Sequence, residues 1–386
     1  MPEIGEVARV VHYLNKHLVR RTISTVVANE DDIVYGKVGC SASQFQKAVQ
    51  GRTVTGAGQQ GKYFYITLDQ PPHPVLHLGM TGWVKFNCEE TAYYRQAKVK
   101  PEDLEWPPKY AKFILKCDAE QVDGVQRDAV EIAFVDARRL ARIRLVDCDA
   151  QEVRKVEPLS KNGPDPVVDK QLFTVEFLTT LLRRKKVPVK ALLLDQANIS
   201  GIGNWVADEV MYQARLHPEQ YSNTFDDDQV QRLYNAITTV CGLACSTLAD
   251  STQFPETWLM KYRWDKGKKD ANVLPDGNKI VHLKVGGRTS AIVPAVQKKT
   301  AAVAGDVEDT VDTTTKRKPS QDEDDETQEA VPKARPQKLS RAKKEPESDA
   351  NGGAVAEQES VKSRSTKGAG KIAAQGSRRS SRVKTK

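Results

Sequence analysis

The chain has 386 residues, which is enough for two or three domains. Its 59 Lys and Arg residues exceed its 51 Asp and Glu residues, for a net charge of +8. This excess suits a polyanionic partner, although many proteins with this balance bind none. No apolar run reaches the ~18 residues that a membrane span needs, and the N-terminus lacks the apolar segment of a signal peptide. The six cysteines include no CxxC pair. Their spacing argues against a four-cysteine zinc site and indicates a reducing compartment.

The N-terminal segment places a proline at position 2, followed by Glu3 and Glu6. Removal of the initiator methionine would leave the secondary amine of Pro2 free. An α-amine has a pKa near ~7.7–8, so a neutral fraction exists at physiological pH. A neutral amine attacks electrophilic carbon and forms a Schiff base, and Glu3 beside it can move protons. Without further motifs, a Pro-Glu pair more often has no such role.

Apolar residues at helical spacing predict a helix from Glu6 to Val19. Short β-branched or aromatic runs separated by Gly, Pro and Asp then predict strands. These runs are Thr22–Ala28, Thr53–Ala57, Tyr63–Leu68, Val75–Leu78, Trp83–Asn87, Ala111–Cys117 and Ile132–Asp136. Many short strands at this spacing indicate a sandwich or barrel. Further along, LSKNGPDP (Leu159–Pro166) predicts a linker, and helices are predicted over Thr174–Leu182 and Asp227–Ala249.

The stretch from Lys190 to Pro218 contains two apolar helical segments around a glycine-rich turn, Asn198 to Gly203. A helix that opens after Gly-x-Gly presents bare backbone N–H groups at its positive dipole end, which makes an anion site. The amide of Asn204 and the ammonium of Lys190 could add donors to one phosphate. A helical pair packed only for its own stability is an equally weighted alternative, because Gly-x-Gly by itself is a weak signal.

Two stretches, one basic and one of low complexity, each allow more than one functional interpretation. The run Arg183–Lys186 ends a predicted helix, and either contacts phosphate or is simply solvated. Beyond about residue 301 the chain contains no Phe, Tyr or Trp, and its mixed charge and low hydrophobicity predict disorder. The basic clusters Lys316–Pro319 and Lys333–Lys344 favour nuclear import or nonspecific DNA contact over a solvated tail without an address.

Five separated motifs together resemble one known family, the formamidopyrimidine-DNA glycosylase and endonuclease VIII family, over residues 1 to about 297. The run LDQANISGIGNWVADEVMYQARLHP resembles its helix–two-turns–helix signature, and MPEIGEV resembles its N-terminal motif. HLGMTG, DARRLAR and the finger segment with GGRTS resemble three more. The chain departs from the motifs with Gly5, Ala8, Ala137, Leu140 and Ala141. We expect Gly5 to loosen the backbone beside the catalytic pair.

The resemblance implies a role for each matching residue. Pro2 matches the nucleophile, Glu3 its proton-transferring partner and Glu6 the second acid. Lys62, otherwise an ordinary solvated lysine, matches a lysine that contacts DNA beside the lesion and assists elimination. Arg288 matches the finger-tip arginine, whose guanidinium fork grips phosphates.

Other matching residues bind DNA in the family. Met80, which would otherwise be assigned to the core, matches a methionine inserted where the damaged base has left. Arg138 matches the arginine that pairs with the orphaned base, and Leu140 matches an apolar wedge. The DNA backbone is bound at the positions of Lys190, Gly203 and Asn204.

The implied fold is α+β and has five parts. Residues 1–155 form a catalytic β-sandwich with an N-terminal helix, and residues 156–170 form a linker. Residues 171–253 form the helix–two-turns–helix domain, residues 254–300 a zinc-less β-hairpin finger, and residues 301–386 a disordered tail. Val293 and Val296 fall where bacterial members carry their last two zinc cysteines, and no cysteine follows Cys245. We therefore expect no metal and no other cofactor.

The implied function is that of a bifunctional DNA glycosylase and AP lyase of base-excision repair. It would excise formamidopyrimidines and further-oxidised guanines in preference to 8-oxoguanine through a Schiff base on Pro2, and nick the strand by β/δ-elimination. Its expected partner is double-stranded DNA that contains oxidised bases or abasic sites. We expect a nuclear monomer that does not bind membranes. The alternative is a damaged-DNA-binding protein without catalysis, which the departures at Gly5 and Ala8 favour.

Overall fold

The computed structural model describes residues 2–91, 105–122, 124–264 and 272–302. The predicted disordered tail beyond residue 302, with both of its basic clusters, lies outside the described residues, as does the finger segment 265–271. Within the described ranges, each helix is too short or too polar to cross a bilayer.

Two antiparallel four-stranded sheets form the N-terminal part of the chain, in the orders β1-β6-β9-β5 and β10-β4-β3-β2. A two-stranded hairpin, β7–β8, accompanies them. The strands are β1 Thr25–Ala28, β2 Val54–Gln60, β3 Tyr63–Leu68, β4 His73–His77, β5 Trp83–Phe86, β6 Ala111–Cys117, β7 Glu120–Val122, β8 Val125–Arg127, β9 Val130–Val135 and β10 Arg142–Val146. The ring of Phe64 in one sheet lies 6.4 Å from that of Phe134 in the other. Because inner-face side chains of the two sheets meet in one core, the domain is a sandwich.

The first helix, α1 (Ile4–His17), joins the sandwich to the rest of the chain. Its first turn is stabilised by the backbone N–H of Glu3, which donates to Glu6 Oε2 over 2.9 Å. Val7 and the apolar residues that follow it at helical spacing lie in the sandwich core, whereas Ile4 lies in the core of the helical domain. One helix therefore contributes to both cores.

Four helices build the C-terminal domain: α3 (Val175–Arg184), α4 (Val189–Leu194), α5 (Asn204–Gln213) and α6 (Asp227–Ser246). The central helix α5 is buried on most of its surface, from Trp205 to Met211. Together with the sandwich, these helices confirm the predicted α+β class. The helix–two-turns–helix is formed by α4, the Asn198–Gly203 turn and α5.

A β-hairpin follows the helices and consists of β11 (Val281–Val285) and β12 (Arg288–Ile292). Gly286 and Gly287 form its turn with φ of 57° and 76°. Two successive residues with positive φ are what a two-residue hairpin turn of the right twist requires. The hairpin packs on a separate small apolar cluster that comprises Leu259, Leu274, Ile280, Ala291 and Val293.

The structure contains elements that the sequence patterns did not predict. A second helix in the sandwich domain, α2, covers Ala42–Val49, and the strands β7, β8 and β10 were also missed. The signal for α2 is the capping box that Ser41 and Gln44 form at its start. The predicted linker Leu159–Pro166 is a packed joint, because Gly163 N donates to Gln196 O over 2.8 Å and Ser200 N to Pro164 O over 3.1 Å.

Gly5 lies buried in the first turn of α1, where α1 crosses α6. A Cβ at Gly5 would lie 2.8 Å from the carbonyl oxygen of Ala244 in α6. The structure therefore gives Gly5 a packing role, the close approach of two helices, in place of the backbone loosening that the sequence suggested.

We expect Gly5→Ala to lower the free energy of unfolding by about 1–3 kcal/mol, because the added methyl group must displace α6 backbone. Gly242→Ala is the matched control, since Gly242 lies inside α6 and its added Cβ would meet nothing within 4 Å. That control should gain about 0.5–1 kcal/mol of helix propensity. Urea unfolding of both variants measures the difference, and equal stability of the two would contradict the packing role.

Candidate active site at the junction of the two domains

The carboxylate of Glu3 lies against the N-terminus of α5. Its Oε2 accepts the backbone N–H of Gly203 at 2.9 Å and that of Val206 at 3.1 Å, and its Oε1 accepts that of Trp205 at 3.0 Å. Glu3 is 2% exposed. The first N–H groups of a helix have no partners within the helix, and its dipole favours negative charge at this end. The N-terminal segment is thus fixed to a helix some 200 residues away in sequence.

Glycines in the turn before α5 make this contact possible. A Cβ at Gly203 would lie 2.2 Å from the carboxyl carbon of Glu3, so any side chain there would displace the carboxylate. Gly201 has φ +95° and accepts the backbone N–H of Ile4 on its carbonyl oxygen at 3.1 Å. Together these contacts hold the chain at the buried Pro2 between the two domains.

The predicted anion site at the start of α5 is therefore occupied by a carboxylate of the chain itself. The sequence predicted that backbone N–H groups of the Gly-x-Gly turn bind an anion, and the N–H of Gly203 does donate to a carboxylate. The anion in this structure is Glu3, and these N–H groups are already satisfied.

Glu6 is the second acid of the site and is fully buried. Burial and the nearby Glu3 carboxylate raise the pKa of Glu6. Its Oε2 accepts from Glu3 N, and its Oε1 has no hydrogen-bond partner within the described ranges. The burial of Glu6 therefore favours its protonated form.

Lys62 occupies the tip of the hairpin formed by β2 and β3. The preceding Gly61 has φ +58° and donates its N–H to the buried carboxylate of Asp165 at 2.8 Å. A Cβ at Gly61 would lie 2.5 Å from Ser200 Cβ. The hairpin tip thus packs directly on the turn that binds the N-terminal segment, and Lys62 itself is partly buried.

Lys190, Asn204 and Arg288 also converge at this place. The carbonyl oxygen of Thr289 accepts from Asn204 Nδ2 at 3.0 Å and from Lys190 Nζ at 3.3 Å. Thr289 follows Arg288 at the start of β12, so the backbone next to Arg288 lies beside the start of α5. The ammonium of Lys190 is fully buried on Asp208, at 2.7 Å. The predicted phosphate contact of Lys190 would require this ammonium to exchange Asp208 for the phosphate.

Met80, Arg138 and Leu140 lie on two touching loops of the sandwich. Asp136 joins these loops: its Oδ1 accepts from Thr81 Oγ1 at 2.9 Å, and its Oδ2 accepts the backbone N–H of Ala141 at 2.7 Å. Arg138 is exposed, whereas Met80 is only 7% exposed. The side chain of Met80 would have to move outward to enter a duplex.

Asp31 is a further residue of this region that the motifs did not reveal. It accepts from Arg139, whose φ is +58°, and from Lys112 at 2.8 Å. Burial opposes ionisation of Asp31, but hydrogen bonds from Arg139 and Lys112 prevail and lower its pKa. Asp31 thereby anchors the residue next to Arg138 and leaves Arg138 directed outward.

The two groups of predicted residues are connected through neighbouring strands. Tyr63, next to Lys62, pairs with His77 across β3 and β4, and their rings lie 4.8 Å apart. His77 Nδ1 accepts the N–H of Gly79, which begins the turn that carries Met80. The predicted residues thus lie along one connected path over both domains.

Asp208 and Glu209 are buried acids on α5 that sequence reasoning did not select. Asp208 accepts from Lys190, Arg263 and the backbone of Ala291. Both oxygens of Glu209 accept hydrogen bonds, and burial raises the pKa of Glu209 to about 7. The signal was available: two adjacent acids stand where α5 is otherwise apolar.

In the part of the chain that the structure describes, no three His, Cys, Asp or Glu side chains come together in a way that could hold a metal ion. Apolar packing and the contacts of Asp208 hold the hairpin where the predicted zinc-less finger lies.

Two family models match the chain in the regions just described. The formamidopyrimidine-DNA glycosylase N-terminal domain matches residues 1–143, and the formamidopyrimidine-DNA glycosylase H2TH domain matches residues 162–256. A formamidopyrimidine-DNA glycosylase of Arabidopsis thaliana is 37% identical over 298 residues, which cover 77% of this chain and 71% of the relative. Another of Desulfitobacterium hafniense is 27% identical over 311 residues and is covered completely. The chain belongs to the formamidopyrimidine-DNA glycosylase family.

Solved structures agree with the fold. Formamidopyrimidine-DNA glycosylase of Lactococcus lactis, bound non-covalently to DNA containing an AP site, superposes with a TM-score of 0.59 at 22% identity. The match covers 77% of this chain and all of that one. At this identity the likeness concerns the fold, which is the sandwich and helical domain described above.

The raised pKa of Glu209 predicts a pH-dependent stability. Its pKa of about 7 in the folded chain lies above the usual glutamate value of 4.5, so the folded chain keeps a proton that the unfolded chain has released. Stability should therefore fall as the pH rises between these values, by up to about 3 kcal/mol, and then level off.

Glu209→Gln removes this titration. Urea unfolding of wild type and variant from about pH 5 to about pH 8 should show their stability difference shrinking or reversing as the pH rises. A difference that is constant across this range would contradict the prediction.

Proposed function

We propose that the protein is a DNA glycosylase of base-excision repair that also cleaves the strand at the resulting abasic site. Its substrate is double-stranded DNA with oxidised bases, such as formamidopyrimidines and further-oxidised guanines, or with abasic sites. The relatives named above are formamidopyrimidine-DNA glycosylases. We further propose that the protein acts as a monomer without a metal or organic cofactor.

The fixed position of the N-terminal segment is the observation that carries this proposal. Glu3 and Ile4 are held on the α5 turn, so the amine of Pro2 would start from a defined place once Met1 is removed. Lys62 follows Gly61, which packs on Ser200 of that turn. Arg288 precedes Thr289, whose carbonyl oxygen accepts from Asn204 at the start of α5. A nucleophile held among cations suits a reaction on a phosphodiester chain.

In the proposed reaction the neutral Pro2 nitrogen attacks C1′ of the damaged nucleotide, and the bond from C1′ to the base breaks. The base leaves with a proton. The proton of the attached amine then passes to O4′ as the C1′–O4′ bond breaks, which opens the sugar ring and leaves an iminium between Pro2 and C1′. The iminium acidifies C2′–H, so its deprotonation expels the 3′-phosphate by β-elimination. A second elimination expels the 5′-phosphate, and water releases Pro2.

The remaining predicted residues act on the duplex in this proposal. Asn204 and Arg288 contact phosphates around the extruded nucleotide. Extrusion costs a few kcal/mol of stacking and pairing. Met80, Arg138 and Leu140 offset part of this cost by filling the gap and contacting the base that remains. The outward direction of Arg138 and the contact between its loop and the Met80 loop support this assignment.

Borohydride trapping on a duplex with one abasic site tests the nucleophile. Wild type should form a covalent complex, because borohydride reduces the iminium to a stable amine. A chain with one extra N-terminal residue, which puts the Pro2 nitrogen in a peptide bond, should lose this complex and still bind the duplex. Pro2→Gly should trap more weakly. If wild type binds the duplex but is never trapped on any lesion, the protein is a damage-binding protein without catalysis.

The usual acid variant Glu3→Gln is a poor test of proton transfer here. Its amide would turn donors toward N–H groups that now donate to Glu3, so it should disturb the junction as well as the chemistry. Glu6→Gln is more informative, since a glutamine keeps an acceptor for Glu3 N. We assign proton transfer to Glu3 and Glu6 together. Measuring both the stability and the borohydride trapping of Glu3→Gln and Glu6→Gln distinguishes a loss of structure from a loss of proton transfer.

We also propose that the protein acts in the nucleus, because basic clusters near Lys316 and Lys333 resemble import signals. A fluorescent protein carrying residues 301–386 should accumulate in nuclei. Replacing Lys316, Arg317 and Lys318 with alanine should reduce the nuclear fraction, and replacing Lys367 and Lys371 is the control of similar composition. An even distribution of the unmodified fusion would contradict the proposal.

A further inference from the structure

A buried charge cluster joins the hairpin to the helical domain. It consists of Lys190 on α4, Asp208 on α5 and Arg263, which precedes the hairpin. Asp208 and Lys190 are both 0% exposed, and Arg263 is 7% exposed. Asp208 Oδ1 accepts from Lys190 Nζ at 2.7 Å, and Oδ2 accepts from Arg263 Nη2 at 2.6 Å and Nε at 3.2 Å.

The same carboxylate also binds the hairpin directly. Asp208 Oδ2 accepts the backbone N–H of Ala291 in β12 at 2.9 Å. On the preceding part of β12, Thr289 O accepts from Lys190 and Asn204. The Asp208 cluster therefore fixes β12 at two places and links it to α4 and α5 together.

We propose that Asp208 is the positioning residue that holds the hairpin on the helix pair, so that Arg288 and Asn204 present one surface to the DNA backbone. This inference rests on the proposed function for its DNA part. Asp208 touches neither substrate nor the Pro2 amine in this arrangement, and it acts through β12.

Burial and charge support a positioning role over a merely stabilising one. A buried ion pair seldom adds much stability compared with apolar packing, but it is directional and enforces one arrangement. The hairpin has only a small apolar cluster of its own, which could tolerate sliding along the helices. At the turn, Gly286 approaches Ala191 of α4 closely, since an added Cβ would lie 3.0 Å from Ala191 Cβ. A displaced β12 would move Arg288 away from the start of α5.

Hydrogen exchange of the DNA-free protein tests the contact without reference to activity. In Asp208→Asn, the amides of β12 should exchange at least about tenfold faster, because Ala291 N–H loses its charged acceptor. Arg263→Met is a milder variant that leaves the ion pair of Lys190 and Asp208 in place, and it should also speed the exchange of the β12 amides. Glu209→Gln is the matched control, because Glu209 is an adjacent buried acid with no bond to β12.

DNA binding tests the consequence. The Kd for an abasic duplex should rise about tenfold in Asp208→Asn. The slope of log Kd against log salt should fall by about 1, which corresponds to the loss of one phosphate contact. The rate of borohydride trapping at saturating DNA should change less than about threefold, since Pro2 is not moved. Measurements are made below the melting temperature of each variant.

Each outcome decides the inference. Faster β12 exchange with a weaker, less salt-dependent binding in Asp208→Asn or Arg263→Met supports it. Unchanged β12 exchange in folded variants overturns it, as does an equal loss in the Glu209→Gln control. An equal fall in binding and saturated trapping also overturns it, because that would report a general loss of structure. Failure of wild type to bind or be trapped would refute the proposed function and the DNA part of the inference, whereas the exchange result would still decide the contact.

Discussion

The arrangement of the whole molecule depends on one carboxylate placed at one helix end. Glu3 satisfies three backbone N–H groups at the start of α5, which no residue within that helix could satisfy. The contact uses the dipole of a nearly fully buried helix, where solvent screens little. Because Glu3 also begins α1, the contact fixes the position of the chain end relative to both domains. The nucleophile of the proposed reaction, Pro2, is thus placed by the electrostatic contact of the next residue, Glu3.

Close packing around this contact explains the glycines of the region. Gly203 leaves room for the Glu3 carboxylate, and Gly61 lets the Lys62 hairpin approach the turn at Ser200. Gly5 serves the approach of α1 to α6 in the same way. An element that contributes to two cores, as α1 does, transmits any displacement of one domain to the other. The site is therefore a property of the junction, and each domain alone would hold only part of it.

Acids that accept hydrogen bonds hold the segments that carry the predicted site cations. Asp31 and Asp136 hold the loop of Arg138, Asp165 holds the hairpin of Lys62, and Asp208 holds the strand of Arg288. Asp136, Asp165 and Asp208 lie within stretches that the sequence analysis singled out, but none of the four acids was assigned a role from the sequence. Patterns of residue type reveal groups that perform chemistry, but they do not reveal partners that are distant in sequence.

The sequence by itself determined the class of fold and the order of most strands and helices, and it predicted site residues that the structure places in two groups. Local periodicity, turn residues and short motifs encode these features, because they depend on neighbours within a few positions. It missed α2 and the strands β7, β8 and β10, and it treated Leu159–Pro166 as a simple linker. Only the tertiary structure decided that Glu3 occupies the anion site of α5 and that Lys190 is buried on Asp208. Both facts arise from contacts between residues far apart in the chain, where space and charge are matched only after the domains have packed.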